Sequence, residues 1–155
     1  MNLFLLSLDV QECAKWHCDK HVVKMILEIV QMLYTTWHVN NPNDPRLDTA
    51  PICTNTGKPG YRKAHPNHPM TKWMRESKAN YKFAVRLAAA LALEFKFRYK
   101  KYHGCTDHVL WMGNNTPNFT KKERTPVPQC MPDEYKVKGD SVQAYRNYYI
   151  GDKAS

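Results

Sequence analysis

The reactive side chains of this sequence are concentrated in one stretch, Trp16-His-Cys-Asp-Lys-His-Val-Val-Lys-Met, with Glu28 three residues further on. A carboxylate, an amine and an imidazole within reach of one another are what general acid–base work, or an amine nucleophile served by a carboxylate, requires. On a helix advancing about 100° per residue, His17, His21, Lys24, Glu28, Gln31 and Thr35 share one stripe, while Val22, Met25, Ile26, Ile29, Val30, Leu33 and Trp37 fill the other side. His21, Lys24 and Glu28 are thereby stacked at successive turns. A solvated helix face would carry the same pattern, so the stripe names candidates only. Asp19 falls amid the apolar arc of a straight helix, which means either a break near Asp19 with that residue capping a second helix, or a partly buried carboxylate.

Other chemistries fit less well. A metal centre would take His17 and His21 with Cys13 or Cys18 and with His65 or His68, but the C-x-x-C pairs of structural zinc sites and the H-E-x-x-H pattern are both missing, so no metal ligand is assigned. There is no G-x-S-x-G and no Gly-rich phosphate loop, which excludes the common serine-hydrolase and nucleotide-dependent designs; no cofactor is expected.

The elements that must position these groups are mostly helical. Asp9 with Glu12 reads as an N-cap and capping-box partner opening a helix that runs to about His38. Pro42, Pro45, Pro51, Pro59, Pro66 and Pro69 then punctuate a turn-rich stretch from Asn40 to Pro69, too broken for a helix and long enough to be functional. A second helical region is expected from Met70 to His103 with Gly104 as its stop, a short helix around His108–Met112, and a last one capped by Asp140 with Gln143. Asn2–Leu8 is apolar throughout, as a strand or an extended arm laid on the core would be. The fold class expected is mostly α: a compact single helical domain over residues 1–155, with a long Pro-rich loop and a short N-terminal extended segment.

At 155 residues the chain has one domain's worth of sequence, and 43% hydrophobic with 24% charged residues is an ordinary globular balance. It contains no apolar run of bilayer length, and its first ten residues do not read as a signal peptide, so an intracellular, non-membrane protein is expected, with its five cysteines reduced. The 23 Lys+Arg against 14 Asp+Glu leave +9, and with 12% aromatics interleaved the expected partner is nucleic acid. Candidate phosphate contacts are Arg62, Lys63, His65 and His68 in Gly60-Tyr-Arg-Lys-Ala-His-Pro-Asn-His-Pro, then Arg75 and Lys78, continued by Lys82 and Arg86 at spacings of three or four. Arg98, Lys100 and Lys101 form a further cluster, which capping of a helix C-terminus explains equally well, and Arg146 follows on the last helix.

Three places carry a resemblance: Asn2-Leu-Phe-Leu-Leu-Ser with the following acid-and-base helix, Gly60-Tyr-Arg-Lys-Ala-His-Pro, and Ala144-Tyr-Arg-Asn-Tyr-Tyr. In order of elements and at these places the chain resembles the phage pyrimidine-dimer DNA glycosylases of the endonuclease V type. The string Cys18-Asp-Lys-His-Val-Val-Lys-Met-Ile-Leu-Glu is also similar to one that recurs in small phage and environmental proteins carrying that label. The resemblance implies an all-α, metal-free enzyme acting as a monomer on duplex DNA, which flips a nucleotide, attacks its sugar with an N-terminal α-amine to form an imine, and cleaves the strand as a lyase. An α-amine has an ordinary pKa of about 7.7–8.0, so part of it is a neutral nucleophile at pH 7. In that family a small residue follows the removed initiator Met; here Asn2 is bulky enough to leave Met1 in place, so either Met1 itself supplies the amine, or a lysine such as Lys20 or Lys24 does, or the lyase chemistry is absent. The family's catalytic Glu with Arg neighbours corresponds by position to Asp19 beside Lys20, and by place on the polar stripe to Glu28. The implied catalytic set is Met1, Asn2, Asp19, Lys20, His21, Lys24 and Glu28. A non-enzymatic nucleic-acid-binding module, and a metal-dependent nuclease or base-modifying enzyme using His17 and His21, are the rival readings.

Overall fold

A computed structural model describes residues 1–154 as one mostly α-helical domain. Six α-helices follow in order: α1 (Val10–Lys15), α2 (Asp19–Asn40), α3 (Pro69–Glu76), α4 (Lys78–Tyr99), α5 (Thr106–Asn114) and α6 (Ser141–Tyr148). Among the described residues the only β pairing is an isolated bridge between Ile52 and Pro59. No described helix is long and apolar enough to cross a membrane.

The core is built around α2 and α4. The apolar arc anticipated for α2 is the buried one: Val22, Met25, Ile26, Ile29, Val30, Leu33 and Trp37 are all inaccessible. Against it lie Phe83, Ala84, Leu87, Ala88 and Leu91 of α4, whose small alanines let the two helices approach closely. Burying several such side chains, at about 1.5–3 kcal/mol each, is the main favourable term.

Of the two readings of Asp19, the break is the one found, and two other sequence expectations are corrected. The Asp9 carboxylate caps α1 by accepting from the Gln11 and Glu12 amides, α1 stops at Lys15, and α2 starts at Asp19, with Cys18 and not Asp19 in the capping position. This break takes Asp19 off the apolar arc, because at the first position of a new helix its side chain can turn to solvent. The Met70–His103 region is likewise two helices, since the Ser77 hydroxyl caps α4 by accepting from the Asn80 amide. Arg75 therefore belongs to α3 and is not in one helical row with Lys78, Lys82 and Arg86. Finally α4 ends at Tyr99, with Lys100 in the left-handed conformation at φ 59°, four residues before the glycine expected to stop it.

Asn2–Leu6 is an extended arm laid on the core, with Leu3, Phe4, Leu5 and Leu6 all buried. The Pro-rich stretch contains a single 3-10 turn (Pro45–Thr49) and returns to the core at Gly60. That glycine is required twice over: φ is +66°, and a Cβ would sit 2.7 Å from the Tyr34 ring. The last helix is capped by Asp140 accepting from the Gln143 amide, as expected, and its chain continues as a single π-type turn, Tyr149–Lys153.

Candidate functional site

The N-terminal arm is fixed at both ends. The Asn2 side chain donates to the Cys130 carbonyl at 2.9 Å, and its carbonyl oxygen accepts from the Leu3 amide at 2.8 Å and from the Tyr145 hydroxyl at 3.1 Å. At the other end the Arg146 guanidinium donates to the Leu6 carbonyl at 2.8 Å and lies over the Trp16 ring. With the intervening side chains buried, the arm has no freedom to swing, and the Met1 α-amine is delivered to one place. There it meets Glu28: the nitrogen is 3.2 Å from Oε1, in a pair whose carboxylate side is only 17% exposed.

The pair stands in a cleft of about 380 Å³ lined by Met1, Asn2, Phe4, His21, Lys24, Met25, Glu28, His68, Cys130, Tyr148 and Lys153. Four of these come from one face of α2: His21 and Glu28 are two turns apart on nearly the same line, with Lys24 and Met25 between them. His68 enters from the end of the Pro-rich stretch, held because its Nδ1 accepts from the Met70 amide at 3.1 Å and caps α3. Lys153 arrives from the C-terminal turn.

The Tyr149 oxygen accepts from the Cys18 amide at 2.7 Å and stands 2.7 Å from His21 Nδ1, which the Cys18 thiol also approaches at 3.2 Å. His68, whose Nδ1 accepts from the Met70 amide, carries its proton on Nε2. Burial, then the charges of Lys20, Lys153 and Lys24, push His21 below the usual histidine range. Burial, then the Met1 ammonium and His65, do the same for His68. Both are neutral N–H donors at pH 7, in a cleft where the Met1 amine, Lys24 and Lys153 face one carboxylate. Such a field favours an anionic ligand and offers it one proton acceptor.

Among the sequence candidates, the structure brings together Met1, Asn2, His21, Lys24, Glu28 and His68. Asn2 holds the arm, and of the candidate amines those of Met1 and Lys24 both reach the cleft. Asp19 is not part of the site. It lies nine residues from Glu28 on α2, half a helical circumference round and about 13.5 Å along the axis; its side chain is 77% exposed and accepts from Arg98 at 3.0 Å. The Arg98 guanidinium also donates to Glu94 and to the Lys15 carbonyl, so it locks α4 to the α1–α2 junction. His17 is buried off the α2 stripe, its Nδ1 donating to the Cys13 carbonyl at 2.7 Å. Lys20 is exposed beside His21. Arg62, Lys63 and His65 are exposed on the segment leading to His68, continuous with the cleft in sequence. Arg75 donates to the Pro66 carbonyl and steadies that segment. Lys78 is exposed at the start of α4, and Lys100 and Lys101 are exposed at its end. Cys130, Tyr148 and Lys153 were missed, and no local spacing announces them. No three described His, Cys, Asp or Glu side chains converge closely enough to hold a metal ion.

No family model matches the chain, and neither a curated protein nor a solved structure does.

Proposed function

We propose that the protein is a DNA repair glycosylase with AP-lyase activity, acting on damaged or modified bases in duplex DNA, in the manner of the pyrimidine-dimer glycosylases its sequence resembles. The observation that carries this reading is the Met1 α-amine held 3.2 Å from Glu28 in a cationic cleft. An amine nucleophile needs a group to take its proton and a counter-charge for the sugar cation, and Glu28 is placed for both tasks.

In the proposed reaction the Met1 nitrogen, having passed a proton to Glu28, bonds to C1′ of the target nucleotide while the bond from C1′ to the base breaks. The base leaves with the electron pair and takes up the proton held by Glu28, with the imidazoles of His21 and His68 beside it. The second proton of the Met1 nitrogen passes through Glu28 to the ring oxygen as the sugar opens, which gives the protonated imine and leaves Glu28 ionised. Glu28 then removes a C2′ proton, and β-elimination expels the 3′ phosphate. Lys24 and Lys153 would hold phosphates beside the reacting sugar, with Arg62 and Lys63 extending the contact along the strand.

Borohydride trapping tests the proposal. Incubated with an abasic duplex and borohydride, the protein should become covalently linked to DNA through Met1, while Glu28→Gln should trap and turn over at least about 100-fold more slowly at similar DNA affinity. Acetylation of the α-amine should abolish the adduct. Trapping that survives acetylation would move the nucleophile to a lysine, and absence of any adduct with irradiated or abasic DNA would reject the lyase.

A further inference from the structure

Apart from the Met1–Glu28 pair, a thiol, a phenol and an imidazole meet where α1 gives way to α2. Cys18 Sγ stands 3.2 Å from His21 Nδ1, and the Tyr149 hydroxyl is 2.7 Å from the same nitrogen and 2.7 Å from the Cys18 amide. The thiol and the phenol are also within hydrogen-bonding reach of each other. A nucleophile touching a base, with a third group holding that base, is what activated thiol chemistry requires. The other thiols are placed differently. Cys13, Cys53 and Cys105 are buried, and Cys130, partly accessible like Cys18, is bonded to the Tyr145 hydroxyl.

The position is open and positively polarised. Cys18 is the N-cap of α2, a helix of 22 residues, and its neighbours Trp16, Asp19 and Lys20 are exposed. Lys20, Lys24 and Lys153 stand around His21, and Arg98 is close enough to act on Tyr149. The carboxylates there are Asp19, paired with Arg98, and Glu28, paired with Met1. Negative charge that develops on sulfur during thiol–disulfide exchange therefore meets a helix N-terminus and several cations. We propose that Cys18 is a modification site that forms a mixed disulfide with a small anionic disulfide of the glutathione type. In that step the neutral imidazole accepts the Cys18 proton at Nδ1 and Sγ bonds to one sulfur of the disulfide. The bond between the two ligand sulfurs breaks, and the departing thiolate takes the proton from His21. Cys18 is thereby oxidised, and half of the incoming disulfide is reduced to a thiol. An attached tripeptide is about 10 Å long when extended. Lys24 lies about 9 Å along α2 from Cys18, so the carboxylates of the adduct reach the lysines of the cleft. On the proposed function, on which this consequence rests, the adduct competes with phosphate and closes the site.

Mass-spectrometric site mapping on the folded wild-type chain tests this. With glutathione disulfide near neutral pH, the adduct should form at Cys18 about 10-fold or more faster than at Cys130 or the buried cysteines. Glutathione disulfide should be preferred over the cationic disulfide cystamine by about 10-fold, after division by the same ratio for the urea-unfolded chain. His21→Asn, with circular dichroism matching wild type, should slow the Cys18 reaction by about 10-fold. Modified protein should trap an abasic duplex about 10-fold less and recover on reduction with dithiothreitol, whereas trapping by Cys18→Ser should not respond to glutathione disulfide. An adduct spread evenly over the cysteines, no preference for the anionic disulfide, a Cys18 rate indifferent to His21→Asn, or full trapping by modified protein would each overturn the inference. Absence of trapping by unmodified protein would instead reject the lyase, and selective mapping to Cys18 would still support the thiol site.

Discussion

His17 shows how a single side chain ties this fold to pH. Its Nδ1–H bonds the Cys13 carbonyl, its Nε2 is buried with no partner among the described residues, and burial drives its pKa down to about 4. Above pH 6.5 the ring is neutral folded and unfolded, and nothing is lost. Between 6.5 and 4 the unfolded chain takes up a proton that the folded chain refuses, so stability falls as pH falls, by about 3 kcal/mol once pH 4 is reached. His17→Asn keeps a donor for the Cys13 carbonyl and removes the titration. Urea unfolding at pH 7.5 and 4.5 should therefore show the variant losing about 2–3 kcal/mol less than wild type over that interval, and equal losses would mean that His17 is protonated in the folded state. His21 lies in the same stretch yet differs in place, because it is bonded to Tyr149 and lines the cleft. Residue type alone did not separate the two histidines; the break between α1 and α2 did, by moving His17 off the stripe.

At the scale of elements, what was legible in sequence was whatever depends on neighbours one or two turns away. The caps at Asp9 and Asp140, the buried arc of α2 and the line His21, Lys24, Glu28 are all local patterns, and all are found in place. Neither break, at Trp16–Cys18 or at Ser77, contains Pro or Gly; the first is announced only by Asp19 falling on the apolar arc, and the second is not announced by any local pattern stronger than Ser77 three residues before Asn80. The arm is the opposite case: its apolar run told that it is buried but not where its amine points, which depends on bonds to Cys130 and Tyr145 more than 120 residues away. Its anchoring is open to a direct check. Asn2→Ala removes those bonds at a stability cost of about 1 kcal/mol, a typical net value for hydrogen bonds of this kind. Under the proposed function it should slow borohydride trapping far more than that figure suggests, by about 10-fold or more, since a loosened nucleophile forfeits the advantage of fixed orientation. Unchanged trapping with lowered thermal stability would make Asn2 structural only.

The whole molecule carries +9, and the fold distributes it unevenly. Arg98, Arg146 and Arg75 are spent on internal contacts, and Lys96 and Lys100 lie over the Tyr102 and Phe97 rings, so net charge overstates what any one partner meets. Lys24 and Lys153 at the cleft, with Arg62 and Lys63 on the segment leading to it, remain for the proposed duplex. Each phosphate neutralised contributes about −0.9 to the slope of log affinity against log salt, so four contacts give about −3.6, well short of what nine would produce. Filter or anisotropy titrations of a non-specific duplex from 50 to 200 mM salt, on the order of the range over which such slopes are read, should return a slope near that value. Arg62→Gln/Lys63→Gln should make it shallower by about 1.8, as loss of two phosphate contacts requires, whereas Lys78→Gln should leave it unchanged. A slope that does not respond to the Arg62 and Lys63 replacements would show that the strand takes another path across the surface, and a slope shallower than about −1 would remove the electrostatic basis for a nucleic-acid partner altogether.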